Sequence, residues 1–276
     1  MNLHRTPFSG RNFEYYSEDS YLSGMMGKSE VQGAARKGLY GFIKHFAMND
    51  QETHRDQNGL LTFSNEQAMR EIYFKPFELT IRDNEVDVKY NEAIYDEHGK
   101  IKSYEMKVAK MPATTAVMSS FNRIGATWAG GNYRLITNVL REEFGFKGFV
   151  LTDYDTGSYM IKNTKQMLEA GGDGKLNTIG EWSGLQTGKD RNENIRYALK
   201  AAKNICYTVV NSAAMNGYVH GVRFVPGFAY YKLILIAWDV LAIGFLAFCT
   251  WKIVTNTKNI YKKTKEENEV PQEKVE

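Results

Sequence analysis

Three apolar runs of this 276-residue chain end in groups able to do chemistry. LYGFIKHF (39–46) closes on Lys44 and His45, TTAVMSSFN (114–122) on Ser119, Ser120 and Asn122, and GFVLTDYD (148–155) on Asp153 and Asp155. A carboxylate in such a place serves as nucleophile, base or acid, and an amine or imidazole beside it binds anions or moves protons. A lysine and a histidine at the end of a buried strand have little structural use, because burial disfavours their charged forms. Asp153 has a structural alternative as the N-cap of a following helix. Asp155, nearer to the helix expected over 158–169, fits that cap better. Arg11 and Arg55 add two planar forks of donors, suited to vicinal hydroxyls or to carboxylates, with a surface salt bridge as the alternative for each. Cys206 and Cys249 are the only cysteines and have no metal-ligand spacing, so neither a metal nor a cofactor is expected.

The elements that position these groups alternate between helix and strand. Helical patterns cover 18–38 and 65–81, the second capped by Ser64 or Asn65 and interrupted at Pro76. A helix over 132–146 closes near Gly145, and another covers 158–169. The amphipathic stretch 191–212 places Ile195, Leu199, Ala202, Ile205, Cys206 and Val209 at helical spacing. Apolar strands at 39–46, 114–122 and 148–155 lie between these helices. The order argues for a parallel α/β architecture. In a (β/α)8 barrel, reactive groups sit at the C-terminal ends of strands, where this chain places them. A whole barrel needs about 250 residues, and only four or five strands are legible, so the reading is a partial one. The polar segment 83–110 reads as an irregular excursion or a small hairpin.

The C-terminal part carries a different signal. Residues 233–251 (LILIAWDVLAIGFLAFCTW) hold a single charge, Asp239. About 20 apolar residues cross a bilayer as a helix. Tyr230, Tyr231 and Trp251 flank the run as interfacial aromatics do. Lys252, Lys258, Lys262, Lys263 and Lys265 follow it with no acid among them, against Arg223 and Lys232 before it. The positive-inside rule then puts the C-terminus in the cytoplasm and the larger part of the chain outside, as a single-pass protein of the cell membrane. The polar stretch 266–276 reads as disordered. The first residues, MNLHRTPFSGR, lack the charged region and apolar core of a signal peptide, which leads one to expect further sequence upstream.

Composition sets outer limits. Lys and Arg total 35 against 32 Asp and Glu, a net charge of +3, so there is no basic excess for nucleic-acid phosphates. Hydrophobic residues at 43% exclude disorder over the whole length. The high aromatic content suits a sugar-binding protein without establishing one.

Four motifs follow one another in order: NLHRTPFSGRNFEYYSEDSYLSG (2–24), IKHFAMNDQETHR (43–55), AVMSSFNRIGATWAGG (116–131) and LREEFGFKGFVLTDYD (140–155). Together they resemble the catalytic barrel domain of glycoside hydrolase family 3, the β-glucosidase-like enzymes, over about residues 2–215. The resemblance implies a retaining hydrolase acting on terminal β-linked sugars of a β-glycoside or oligosaccharide. It implies Asp153 in KGFVLTDY as the nucleophile. It implies Lys44 and His45 as the pair that binds sugar hydroxyls, Arg11 in GRNFE as a substrate-binding arginine, and Arg55 as a residue orienting nucleophile and sugar. The continuation Ala47-Met48-Asn49-Asp50 after KHF lacks the Pro-Gly-His-Gly of the family's N-acetylglucosaminidases and points to the glucosidase branch. Phe121 stands where many members have tyrosine.

The family's acid/base glutamate lies on a separate α/β sandwich domain, and nothing in this sequence matches that domain or the first βα units of the barrel. The expectation is a barrel domain over 1–218 that is incomplete at its start, a linker over 219–232, a transmembrane helix over 233–251 and a cytoplasmic tail over 252–276. The partners expected are a glycoside substrate, the lipid bilayer, and an upstream or separate sandwich domain that supplies the acid/base group. The alternative is a catalytically degenerate, membrane-anchored sugar-binding protein.

Overall fold

The structure is a computed structural model that describes residues 1–55, 60–155, 163–177, 191–212 and 229–268. The chain divides into two compact units, Met1–Val222 and Arg223–Glu276.

The first unit opens with a short 3-10 turn (Asn12–Glu14) and helix α1 (Ser20–Ala35), followed by strand β1 (Phe42–Phe46). Helix α2 (Glu66–Ala68), a π-helical stretch (Met69–Tyr73) and α3 (Lys75–Ile81) come next. They are followed by β2 (Glu85–Tyr95), β3 (Ile101–Pro112), β4 (Ala116–Ser119), β5 (Arg123–Ile124) and β6 (Thr127–Trp128). A π-type helix (Arg134–Glu143), β7 (Phe149–Tyr154), α4 (Thr164–Ala170), β8 (Gly174–Leu176) and α5 (Arg191–Val210) complete the unit.

Four strands form one sheet in the order β1-β4-β7-β8, every neighbouring pair parallel. Parallel strands need crossover connections, and here the crossovers carry the helices. The strands are apolar on both faces, as covered parallel strands are. Ile43, Phe46, Val117 and Val150 pack against Phe74, Phe77, Leu135, Ile136, Val139, Leu140 and Phe144 of the helices between them. Phe46 is the centre of this core, with the rings of Phe77, Phe74 and Phe144 at 5.0, 5.9 and 6.4 Å. Gly148 is required where β7 starts, because a Cβ there would lie 1.9 Å from the Thr115 carbonyl oxygen.

Local chemistry explains the boundaries. Asp19, Asn65 and Asn163 cap α1, α2 and α4, each accepting a backbone N–H three residues on. Asn65, rather than Ser64, is therefore the cap of its helix. Pro76 falls near the start of α3, where its missing N–H costs nothing; the interruption comes before it, at Phe74.

Three elements differ from the sequence reading. Residues 83–110 take the hairpin alternative, but as a long and regular one: β2 and β3 pair antiparallel from Glu85–Pro112 to Tyr95–Ile101, a ribbon of 11- and 12-residue strands. The helix expected over 158–169 is described only from Thr164, and 156–162 lie outside the described residues. The three-residue β8 was not legible at all. It sits in AGGDGKLN, whose glycines read as a turn.

The second unit contains helix α6 (Tyr231–Asn268), 38 residues long and about 57 Å at 1.5 Å per residue. Within it, Tyr231–Lys265 is long and apolar enough to cross a membrane. The helix runs past the expected end of the span at Trp251 and takes in Glu266–Asn268, the start of the tail expected to be disordered.

Candidate active site

β1, β4 and β7 end side by side, and ligands of α/β sheets gather at such carboxyl ends. β7 delivers Asp153 there and β1 delivers Lys44 and His45. The N-terminal segment and the loop after β1 close over them. Asn2 takes the place of a ladder partner for His45: its Nδ2 donates to the His45 carbonyl at 3.0 Å, and its Oδ1 accepts from His45 N–H at 2.9 Å. The Leu3 amide donates to Asp50 Oδ1 at 2.7 Å, and the Tyr15 hydroxyl donates to the Asn49 carbonyl at 3.1 Å. Glu52 N–H donates to the Ser9 carbonyl at 3.0 Å. Gly10, at φ +90°, lets the chain turn against the Glu52 side chain, which a Cβ would approach to 3.2 Å.

All five residues singled out in the sequence are brought together. His45 Nε2 lies 3.3 Å from Asp153 Oδ2, and Arg55 Nη1 lies 3.8 Å from the same oxygen. Arg11 Nη1 is 3.3 Å from His45 Nε2. Lys44 differs from expectation. Its backbone is part of the buried strand, but its side chain is 42% exposed and runs to Glu14 Oε2 at 3.5 Å.

Two acids that sequence reasoning passed over organise the cations. Glu52 lies 3.0 Å from Arg55 Nη1 and 3.6 Å from Arg11 Nη1, and it accepts from Asn49 Nδ2 at 3.2 Å. Glu14 pairs with Arg11 and Lys44. The signal was present as two Arg/Glu pairs at a spacing of three, Arg11–Glu14 and Glu52–Arg55. The Phe121 ring supports the other side of Arg55, whose guanidinium carbon sits 4.5 Å from its centroid. A phenylalanine here does what a ring face does, whatever a tyrosine hydroxyl would add. Asp155, expected as a cap, is held by Lys175 of β8 at 2.7 Å.

The electrostatics separate the two partners of the closest contact. Burial pushes the His45 imidazolium down to about 2, and Arg11, Lys44 and Arg55 push the same way, so the ring is neutral. The His45–Asp153 contact is therefore no ion pair. His45 Nε2 faces a guanidinium that only donates and a carboxylate that only accepts, and one nitrogen cannot serve both. Asp153 Oδ1 accepts the Tyr154 amide at 2.7 Å, whereas Oδ2 is buried without a hydrogen bond. Burial raises the Asp153 carboxyl above its usual range, against the pull of the Tyr154 amide, Arg55, Arg11 and Lys44. Glu14 goes the other way: burial opposes its ionisation, but Arg11 and Lys44 outweigh it and hold the carboxyl low.

Sequence comparison settles the lineage of this arrangement. The family profile described as the Glycosyl hydrolase family 3 N terminal domain matches residues 1–205. The chain belongs to glycosyl hydrolase family 3. Within the family it is 35% identical over 154 residues to a β-glucosidase of Ruminococcus albus, covering 56% of this chain and 13% of that one. It is 33% identical over 213 residues to a β-glucosidase of Rhizobium radiobacter, covering 77% and 21%. Among solved structures it is similar to β-glucosidase 3B from Thermotoga neapolitana in complex with glucose, with a TM-score of 0.55, 34% identity, and coverage of 78% of this chain and 27% of that one. The chain thus spans about a fifth or less of the length of these two curated family 3 relatives.

Proposed function

We propose that this chain carries the nucleophile half of a retaining β-glycosidase site of the β-glucosidase type, with Asp153 as the nucleophile. One observation supports this most: at the carboxyl end of β7, Asp153 Oδ2 is buried, flanked by His45 and Arg55, and without a hydrogen bond. An oxygen with no hydrogen bond to hold it is free to attack. Oδ2 forms the bond to the anomeric carbon, the glycosidic C–O bond breaks, and the leaving oxygen takes the electron pair and a proton. Tyr154 N–H fixes the other carboxylate oxygen so that the attack is aimed. Arg55 keeps the carboxylate charged, while Arg11, Lys44 and the neutral His45 present donors and a lone pair to the sugar hydroxyls.

The proton for the leaving group comes from outside this cluster. A retaining site needs its second carboxyl about 5–5.5 Å from the first, in protonated form. Glu14 is held ionised, and Glu52 is tied to two arginines. In this reading the acid belongs to the sandwich domain of the family, and the four parallel strands are part of a (β/α)8 barrel. α6 anchors the protein in the cell membrane, with the larger unit outside.

A 2-deoxy-2-fluoro-β-glucosyl dinitrophenolate tests the nucleophile, because its leaving group needs no acid. Peptide mass spectrometry is expected to find one sugar on the peptide containing Asp153, and none in Asp153→Asn. A sugar attached to Glu14 or Glu52 instead would overturn the assignment.

A further inference from the structure

We propose that the free edge of β3 docks a second copy of this chain. The two β3 strands would pair antiparallel about a two-fold axis at Met106 and join two ribbons into one four-stranded sheet. Among the described residues, β2 and β3 form a sheet of two strands with no third. Such a ribbon is marginal by itself. Its root is covered, where Val86, Val88 and Met111 pack on Ala35, Val31 and Tyr40. Further out, Tyr104, Met106 and Val108 alternate along one face of β3 and are 59%, 67% and 61% exposed.

The ladder shows which backbone groups of β3 are free. One step before the Glu85–Pro112 pair, the Ala113 amide donates to the Asn84 carbonyl at 2.8 Å, which makes Asn84–Ala113 a hydrogen-bonded pair. Hydrogen-bonded and open pairs alternate along an antiparallel ladder. The odd-numbered residues of β3 therefore bond to β2, while Tyr104, Met106, Val108 and Lys110 turn their amides and carbonyls to the outer edge. Pro112 agrees, since it has no amide and falls in the outward set. Among the described residues, no backbone hydrogen bond from another element reaches Tyr104, Met106 or Val108. An edge of this kind is a template for a further strand.

The side chains select the occupant and the register. Glu92 and Glu105 stand directly opposite each other within the ribbon, an unfavourable match. Lys107 pairs closely with Glu92 and lies 3.9 Å from Glu105, so one lysine serves two carboxylates. Pairing β3 with itself about Met106 sets Glu105 of each copy opposite Lys107 of the other. These fall in open pairs, where side chains approach most closely. The same register sets Tyr104 opposite Val108 and Met106 opposite Met106, so the exposed apolar row covers itself. Only registers that bring outward-facing residues together can bond, and the two nearest alternatives centre on Glu105 and on Lys107. Each of these puts like charges together on the axis. Lys102 does face Lys110 in the favoured register, but it lies past the bulge at Ile94–Tyr95, and Lys110 has Asp87 directly across the ribbon. A charge pattern that complements itself under two-fold symmetry fits a second copy. β2 offers no equal edge. Its charge-matched register, Asp87 with Lys89, centres on Val88, which packs against Val31 and Ala35 of α1. The ribbon joins the sheet at the amino end of β4, so this pairing leaves the carboxyl ends of the strands, and Asp153 with them, uncovered.

The test uses the full chain in mild detergent, with association measured by analytical ultracentrifugation. Glu105→Lys and Lys107→Glu each turn both cross-strand pairs into like charges, and each is expected to weaken dimerisation about tenfold or more. Mixed together, the two variants are expected to form a heterodimer within about threefold of wild-type strength, because every charge again meets its opposite. A variant that merely misfolds does not give this rescue, and its absence would overturn the proposal. Met106→Pro removes an outward amide that the ribbon itself does not use, and it is expected to leave a monomer. Nitroxides on Ser103→Cys, with Cys206 and Cys249 replaced by serine, report the register by dipolar spectroscopy. They are expected about 20 Å apart, roughly six residues along the strand at about 3.3 Å each. A separation of about 13 or 27 Å would centre the pairing on Glu105 or Lys107 and overturn the proposal. A wild-type chain that stays monomeric up to about 0.1 mM overturns it as well. So does a dimer that the charge reversals and Met106→Pro leave unchanged, which would assign association to another surface of the chain.

Discussion

Asp153 illustrates how a reactive group is left short of partners. It is 9% exposed, its Oδ2 has no hydrogen bond, and burial raises its pKa. The folded protein then binds its proton more tightly than the unfolded chain does, so stability is lost as pH climbs from the ordinary carboxylate range through the raised value. Asp50 adds the same trend, since burial pushes it up to about 6 against the Leu3 amide, so the wild-type curve alone does not isolate Asp153. The difference between wild type and Asp153→Asn does. The variant is expected to be more stable at neutral pH by about 1–2 kcal/mol, the size of a buried unsatisfied group. The advantage is expected to shrink toward nothing below the carboxylate range. Urea unfolding of the full chain at a series of pH values measures it, and a difference that is flat with pH would contradict the strained-nucleophile picture. The types and order of Asp153, Lys44, His45, Arg11 and Arg55 were readable in the sequence because strand ends and motifs are local. The roles of Glu14 and Glu52 were not, because an acid three residues from an arginine reads equally well as a surface pair until the fold turns both pairs onto one histidine and one aspartate.

The elements are held in register by a buried network that joins Arg141, inside the fourth motif, to Asp173 and Asn204, which lie outside every motif. Arg141, on the helix Arg134–Glu143, sends Nη2 to Asp173 Oδ2 at 2.7 Å and to the Gly171 carbonyl at 2.6 Å, and Nη1 to the Gly148 carbonyl at 3.1 Å. Asp173 in turn accepts Val150 N–H at 2.8 Å and Asn204 Nδ2 at 2.8 Å. One ion pair thus ties the helix before β7 to β7 itself, to the start of β8 and to α5, which together set where Asp153 emerges. Removing one partner of a buried pair leaves the other charge uncompensated. Arg141→Met is expected to cost about 3–5 kcal/mol, and Arg141→Lys to recover only part, since an ammonium lacks the planar fork. Denaturant midpoints of the two variants test this, and equal stability of Arg141→Lys and wild type would show that the fork does not matter. α5 was legible from its helical spacing, and β1 and β7 as apolar runs closed by polar groups. α1 was placed on Tyr21, Leu22, Met25 and Met26, which are exposed, while it buries Ser23, Gly24, Gly27 and Ala35 instead. β8 was not legible, because a three-residue strand that itself begins with Gly174 carries no period, and its strand character comes only from pairing with Leu151 and Tyr154. The β2–β3 ribbon was underestimated because its polar, exposed sequence hides the alternation that pairing makes evident.

At the scale of the whole molecule, α6 joins an apolar run to a helical extension that carries five lysines before its first acid, Glu266. The run from Leu233 to Trp251 matches a hydrocarbon core of about 30 Å, whereas α6 at about 57 Å is nearly twice that. The excess is the part that carries Lys252, Lys258, Lys262, Lys263 and Lys265, all exposed along the helix. A span alone has no preferred direction; on the proposed reading of α6 as a span, the lysines would supply one, because translocating them is disfavoured and the cytoplasmic leaflet is anionic. A green fluorescent protein fused after Glu276 is therefore expected to fluoresce in the cytoplasm, and an alkaline phosphatase at the same place to be inactive. Replacing the five lysines by glutamate is expected to raise phosphatase activity several-fold at the expense of fluorescence, as the orientation loses its determinant. If the wild-type fusion is already phosphatase-active, the larger unit lies inside the cell, where a secreted or extracellular glycoside cannot reach Asp153, and the substrate must be sought among glycosides that enter the cytoplasm.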